Sequence, residues 1–285
     1  MKHRLFIISL FLIYIVVMTV IMIRLGIGIS LDRYAVVLFF AALLLKKARS
    51  FLLDWMPFFF ILISYEYLRG ITGQLNADVH FLPQLQADRI IFGNIPTISL
   101  QHLFFQPNFL QWYDYLATIL YFLHFALPLS FAYLLWIYNR YYFKQFMTGI
   151  SLLSYGAWLT YVVFPAAPPW LASEMGYLPH MTKIMTLTLT NFPEVLKLPT
   201  LYHHFNPNLV AAVPSLHAAY PALILLFGVY FFGKKALFFL PYVLATWLAI
   251  VYLGEHYFSD VIAGAVYALV FFLITVKLLH RTKES

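Results

Sequence analysis

Long apolar runs broken by short polar clusters dominate the chain. Eight of them approach membrane-crossing length, near residues 5–24, 32–47, 51–68, 113–138, 143–164, 215–232, 236–253 and 259–279. A helix needs about 20 apolar residues to cross a hydrocarbon core of roughly 30 Å. The run at 32–47 is short, which suits a re-entrant or tilted element as well as a span. The first run follows Lys2 and Arg4 but is too long for a signal peptide, and no small-residue cleavage site comes after it, so it reads as a retained span. The pattern predicts an all-α, polytopic membrane bundle of about eight transmembrane helices. Two long segments, Gly70–Trp112 and Pro165–Pro214, interrupt the runs, and the second holds eight of the fifteen prolines. That density breaks it into short pieces. Within it, Met181–Asn191 alternates threonine with Ile, Met and Leu. This fits an interfacial lid or a packed loop, and the packed loop, which needs no movement, is preferred.

Composition agrees with the pattern. Of 285 residues, 63% are hydrophobic and only 10% charged, with a mean hydropathy of +0.82. A soluble domain carries about 25% charged residues, so a soluble protein is excluded. The net charge of +7 would suit a nucleic-acid partner, but orientation in a membrane explains it. With the N-terminus inside, twelve Lys and Arg fall in the inner segments and six in the much longer outer ones. The short loops Lys46–Ser50, Asn139–Lys144 and Gly233–Lys235 are all basic. Both termini are therefore expected in the cytoplasm, both long segments on the extracytoplasmic side, and no nucleic acid as partner. The absence of cysteine removes disulfides, thiolate metal sites and cysteine nucleophiles.

Histidine placement narrows the chemistry. His3 and His280 map to the inner side and His124 lies inside the fourth run, whereas His80, His102, His180, His203, His204, His217 and His256 all map to the outer side. Ionisable groups at membrane depth are costly and mark function. Two stretches stand out. In Val213-Pro214-Ser215-Leu216-His217, Pro214 ends the loop, Ser215 is a natural N-cap and His217 falls in the first helical turn, where a helix N-terminus can face an anion. In Glu255-His256-Tyr257-Phe258-Ser259-Asp260, a helix beginning near His256 would put His256 and Asp260 on one face. The carboxylate would then fix one imidazole nitrogen as donor and leave the other as nucleophile. The order of spans puts His217 and His256 at one depth although they are 39 positions apart.

Pro214-Ser215-Leu216-His217 and His256-x-x-x-Asp260 resemble the second and third signature motifs of the type 2 phosphatidic acid phosphatase superfamily. The likeness is closer to its branch related to inositol phosphorylceramide synthase, which has leucine where ordinary members have glycine and reads His-Tyr-Phe before the aspartate. Phe164-Pro165-Ala166-Ala167-Pro168-Pro169-Trp170 is similar to a Phe-Pro-x-Ala-Pro-Pro-Trp segment of that branch, and Tyr65–Gly70 and Pro96–Gln101 resemble weaker features of its bacterial members. The resemblance covers roughly residues 60–275. It implies N-terminal transmembrane helices over 1–50 and a catalytic domain over 51–285 with a six-helix core. It also implies metal-independent, cofactor-free phosphoryl transfer from a phosphorylated lipid at the extracytoplasmic face of a bacterial plasma membrane. His256 would be the nucleophile, forming a phosphohistidine, Asp260 would orient it, and His217 would serve as acid and then base. The acceptor would be water, a lipid alcohol or a polyol such as inositol, so phosphatase and transferase both stay open.

The departures from the family pattern matter as much. Ordinary members carry a lysine and an arginine in the first motif and an arginine six residues before the nucleophile; here those places hold Ala166-Ala167-Pro168-Pro169 and Ile250. Other groups must hold the phosphate. Arg69 is the first choice, either lining a cavity or snorkelling to the headgroups. Arg89 follows, although Asp88 beside it suggests a local ion pair, and then His204, Ser215, Lys183, Lys197, His80, His180 and His203. Glu255 either tunes the site or faces water. Two other readings compete. A metal-dependent hydrolase would use His217, His256, Asp260 and a loop histidine, but no compact ligand motif is present. A transporter or flippase of a phosphorylated lipid would place charges at mid-bilayer, where only His124 and Asp54 stand.

Overall fold

Proline and glycine set many of the helix boundaries. The computed structural model describes residues 31–76, 78–192 and 208–284, with single positions between 9 and 21. In chain order the helices are α1 (Leu31–Leu44), α2 (Ala48–Leu75), α3 (Leu82–Phe92), α4 (Pro96–Phe104), α5 (Trp112–Tyr138), α6 (Arg140–Val163), α7 (Pro169–Glu174), α8 (Ile184–Asn191), α9 (Leu216–Phe232), α10 (Leu240–Tyr252) and α11 (Phe258–Glu284). A 3-10 turn over Gly233–Phe239 joins α9 to α10. Helices α3, α4, α7 and α10 each carry proline in the first turn, where the missing N–H costs nothing. Helix α3 ends on Gly93 at φ 74°, a left-handed cap that glycine adopts without strain. The protein is all-α: among the described residues there is no strand, only two isolated parallel bridges, His80 to Ala166 and Ala166 to Ala211.

Four helical runs are long and apolar enough to cross a membrane: Ala48–Thr72, Arg140–Val163, Leu216–Tyr252 and Phe258–Leu279. A fifth arises if the two halves of α5, bent by 49° between His124 and Ala126, count as one span. The expected eight are not all found as separate spans. Helix α1 has 14 residues, about 21 Å, short of the hydrocarbon core. The runs at 215–232 and 236–253 become α9 and α10 within one continuous helical stretch. That stretch folds back on itself, since the Trp247 indole donates to the Ala218 carbonyl at 3.1 Å. The first run lies largely outside the described residues. The bend in α5 has a local cause: Pro128 lacks the N–H that would bond the His124 carbonyl one turn earlier.

The chain divides into two compact units, Met1–Ile63 with Leu189–Pro207 and Ser64–Thr188 with Asn208–Ser285. In the first, Phe51 and Trp55 stack at 5.0 Å and Phe59 packs on both, all three buried. In the second, α9 packs on α5, α6, α10 and α11; α6 on α5 and α11; and α10 on α4 and α5. The C-terminal part of α2 is tied to α6 by Ser64 Oγ and Tyr155 Oη at 2.5 Å and by Trp158 Nε1 donating to the Leu68 carbonyl and Thr72 Oγ1. The segment expected as a packed loop at 181–191 is instead helical over α8. Ile184, Met185 and Thr188 turn one face inward, with Thr188 Oγ1 against Thr118 Oγ1 at 2.7 Å.

The start of α9 lies close against α11 at Gly264, where an added β-carbon would run into the Ser215 carbonyl oxygen and meet Ala218 Cβ at 3.2 Å. Backbone cannot yield there as a flexible side chain would. Gly264→Ala is expected to lower stability by about 1–3 kcal/mol, the usual cost of overpacking, and to cut activity by shifting the start of α9. Thermal unfolding in detergent, measured beside turnover, checks both effects.

Candidate active site

The start of α9 is built as its sequence dictates. Ser215 is fully buried and caps the helix, its Oγ accepting from the Ala218 N–H at 3.3 Å. Its own N–H donates to the Asp260 carbonyl at 3.1 Å, which pins the loop after Pro214 to the first turn of α11. The Ser215 side chain thus serves the fold. His217, one residue into the helix, is half-buried.

The start of α11 differs from the expectation. The helix begins at Phe258, so His256 lies just before it and not on its face. Gly254 at φ 81° turns the chain after α10, and the N–H groups of Glu255 and His256 return to the Ile250 carbonyl. Asp260 Oδ2 accepts from the Tyr257 N–H at 2.9 Å and lies 3.4 Å from His256 Nδ1. Asp88 of α3 accepts from the N–H groups of Phe258 at 3.0 Å and Ser259 at 2.8 Å. The expected Asp88–Arg89 ion pair is therefore not formed: backbone amides with helix-dipole charge behind them take up the carboxylate. Arg89 is exposed on α3.

These two turns bring the catalytic candidates together. His217 Nδ1 lies 3.2 Å from His256 Nε2. Asp260 is fully buried and His256 is 5% exposed. The carboxylate at His256 Nδ1 favours a proton there, which leaves Nε2 with its lone pair and makes His217 Nδ1 the donor to it. Asp260, His256 and His217 then form one directed chain, in which the Asp260–His256 link is an ion-pair approach at 3.4 Å and not a well-formed hydrogen bond. Tyr257, fully buried beside them, has its phenol pushed above the ordinary value by burial and by the Asp260 and Asp88 carboxylates.

Arg69 ends the apolar part of α2 with its side chain only 12% exposed, bonded to Glu66 at 2.8 Å. Its charge is within Coulombic reach of Tyr65, Tyr121, His124, Tyr161, His217 and Tyr220. A snorkelling arginine would expose its head; this one faces the interior beside the histidines. Tyr65 is buried near it, and its hydroxyl makes no hydrogen bond among the described residues.

Other candidates go elsewhere. His80 is structural, with its N–H on the Pro165 carbonyl and its ring stacked on Phe164 at 4.1 Å. His102 and His180 are exposed. His203, His204 and Lys197 lie outside the described residues. Lys183 Nζ sits 3.3 Å over the Trp170 ring, where burial pulls its amine below the ordinary range while Glu255 and Glu174 pull it back. Glu255 is buried, 4% exposed, so it does not face water. Sequence reasoning missed His124. It is 3% exposed, and its ring lies 3.9 Å from that of His217. Among the described residues no group of three or more His, Cys, Asp or Glu is arranged to hold a metal ion.

Residues 86–274, which include the whole His217–His256–Asp260 chain, match the PAP2 superfamily. The chain belongs to that superfamily. Among curated relatives, this member is 27% identical over 239 residues to the phosphoinositol dihydroceramide synthase of Bacteroides thetaiotaomicron, covering 80% of this chain and 76% of that protein. It is 30% identical over 126 residues to the inositol phosphorylceramide synthase catalytic subunit of Saccharomyces cerevisiae, covering 40% of this chain and 29% of the yeast protein. Against the inositol phosphorylceramide synthase of Candida albicans it is 27% identical over 179 residues, 60% of this chain and 38% of the relative. No solved structure gives a significant match. With its apolar helices, this PAP2 member is an integral membrane enzyme of lipid phosphate chemistry, in the branch that holds these synthases.

Proposed function

We propose that the protein is a lipid phosphotransferase that works through a phosphohistidine on His256, taking a phosphoryl-headgroup unit from a membrane lipid and passing it to an alcohol. The directed chain from Asp260 through His256 to His217 carries this reading. His256 Nε2 bonds to phosphorus as the bond to the departing alcohol oxygen breaks, and the proton on His217 Nδ1 goes to that oxygen. The acceptor hydroxyl then gives its proton to His217, its oxygen takes the phosphorus, and the phosphorus–nitrogen bond breaks. In-line transfer puts nucleophile and leaving oxygen on opposite sides of phosphorus, so His217 Nδ1 and His256 Nε2, 3.2 Å apart in this structure, part as the phosphoryl group enters.

Phosphoryl transfer depends mainly on positioning and on cations around the equatorial oxygens. Arg69 supplies the cation that the family's first and third motifs lack here, and the Tyr65 hydroxyl donates beside it. Ser215 and Asp88 act by holding the two helix starts. The relatives' names, a phosphoinositol dihydroceramide synthase and inositol phosphorylceramide synthases, support a sphingoid lipid alcohol as acceptor and a phosphoinositol lipid as donor. The basic short loops support an extracytoplasmic site with both termini inside.

The test is purified protein in mixed micelles with labelled phosphoinositol lipid, with and without a ceramide, and with a chelator. Label is expected in a new lipid only when the alcohol is present, at a rate the chelator leaves unchanged. Activity lost with chelator and restored by a divalent metal would replace this mechanism with metal-assisted hydrolysis.

A further inference from the structure

His124 is an unusual residue for its place. It sits in the apolar helix α5 at 3% exposure, and burying a polar ring in a membrane bundle is costly. The bend below it falls between His124 and Ala126. Its ring centroid is 3.9 Å from that of His217, and Tyr121, one turn earlier on α5, stacks on His217 at 4.0 Å with planes 25° apart. The Tyr121 and His124 centroids are 6.4 Å apart, so His217 lies in the notch between them. Tyr220 backs His124 at 5.5 Å with nearly parallel planes, 14° apart, and is itself held by Ser154 at 2.7 Å. A continuous line of side chains thus runs from α6 through Tyr220 and His124 to the ring of His217.

We propose that His124 is a positioning residue for His217, its ring and that of Tyr121 holding the His217 imidazole so that Nδ1 faces the reacting phosphoryl group. The proposal rests on the reading of His217 as the acid and base of the reaction. His124 packs against His217 as a tilted ring, with planes 46° apart, so a flat ring at 124 is what the site needs.

General acid catalysis matters when an alkoxide leaves and little when a nitrophenolate leaves, which gives a readout that a merely structural role would not move. The protein is assayed with a phosphoinositol lipid and with a nitrophenyl phosphoinositol ester. His124→Leu is expected to lower turnover of the lipid about 10²-fold, within the usual worth of an acid–base group, and turnover of the nitrophenyl ester only a few-fold. His124→Phe is expected to restore most of the lipid activity. Equal losses on both substrates for His124→Leu would overturn the proposal, and so would a His124→Phe protein as slow as the leucine variant. If the unmodified protein transfers the phosphoryl group from neither ester, the catalytic reading of His217 and His256 fails first, and this inference with it.

Discussion

Replacing His256 with alanine is expected to lower turnover by about 10⁴-fold or more, because in the proposed mechanism it removes the atom that bonds to phosphorus. The variant should still fold, since His256 precedes α11 and its removal leaves the Tyr257, Phe258 and Ser259 N–H bonds to Asp260 and Asp88 in place. Its thermal unfolding is therefore expected to stay close to that of the unmodified protein. Asp260→Asn should be milder in structure but still severe in rate. The amide can keep one bond to the Tyr257 N–H yet no longer holds a proton on His256 Nδ1 by charge, and the nucleophile loses its fixed tautomer. Turnover assayed beside unfolding separates these losses from loss of fold.

The second large effect is expected at Arg69. Replacing one preorganised group that stabilises developing charge costs about 10²–10³ in rate, and Arg69 is the buried cation within reach of both His124 and His217. Arg69→Met should fall in that range, and Arg69→Lys should recover part of the loss, because a point charge replaces the charge but not the guanidinium fork. Glu66→Gln serves as the control. Glu66 is 37% exposed and pairs with Arg69 from the adjacent turn, so its neutralisation should change turnover only a few-fold. Steady-state kinetics on the lipid substrate measure all three. An Arg69→Met protein with unchanged kcat/KM would return the arginine to a purely structural role.

The grouping of His217, His256 and Asp260 is legible in the sequence because it rests on local features: a proline and serine that start α9, and an aspartate four residues after a histidine. The span order then puts both at one depth. The exact start of α11 is less legible. Asp88 sits 170 positions before Phe258, and its capping bonds make Phe258 the first helical residue. The same long-range bonds explain why Asp88 is not paired with its neighbour Arg89. His124 reads as an isolated polar residue in an apolar run, since the ring it touches is 93 positions away and only helix packing brings them together. Residues 181–191 look like alternation, yet within α8 the buried Ile184, Met185, Thr188 and Leu189 follow a helical face. Membrane spans are the least countable feature, because α1 is short and α9 and α10 share one helical run with a 3-10 turn.

The central claim is a covalent phosphohistidine on His256. Rapid acid-free quenching of the protein with phosphorus-labelled donor lipid, followed by peptide mass spectrometry, tests it most directly. The expected result is an acid-labile, base-stable label on His256 that builds up without acceptor, disappears when the alcohol is added, and is absent in His256→Ala. Turnover to labelled product with no label on His256 at any time point, or a label on another residue, would contradict it.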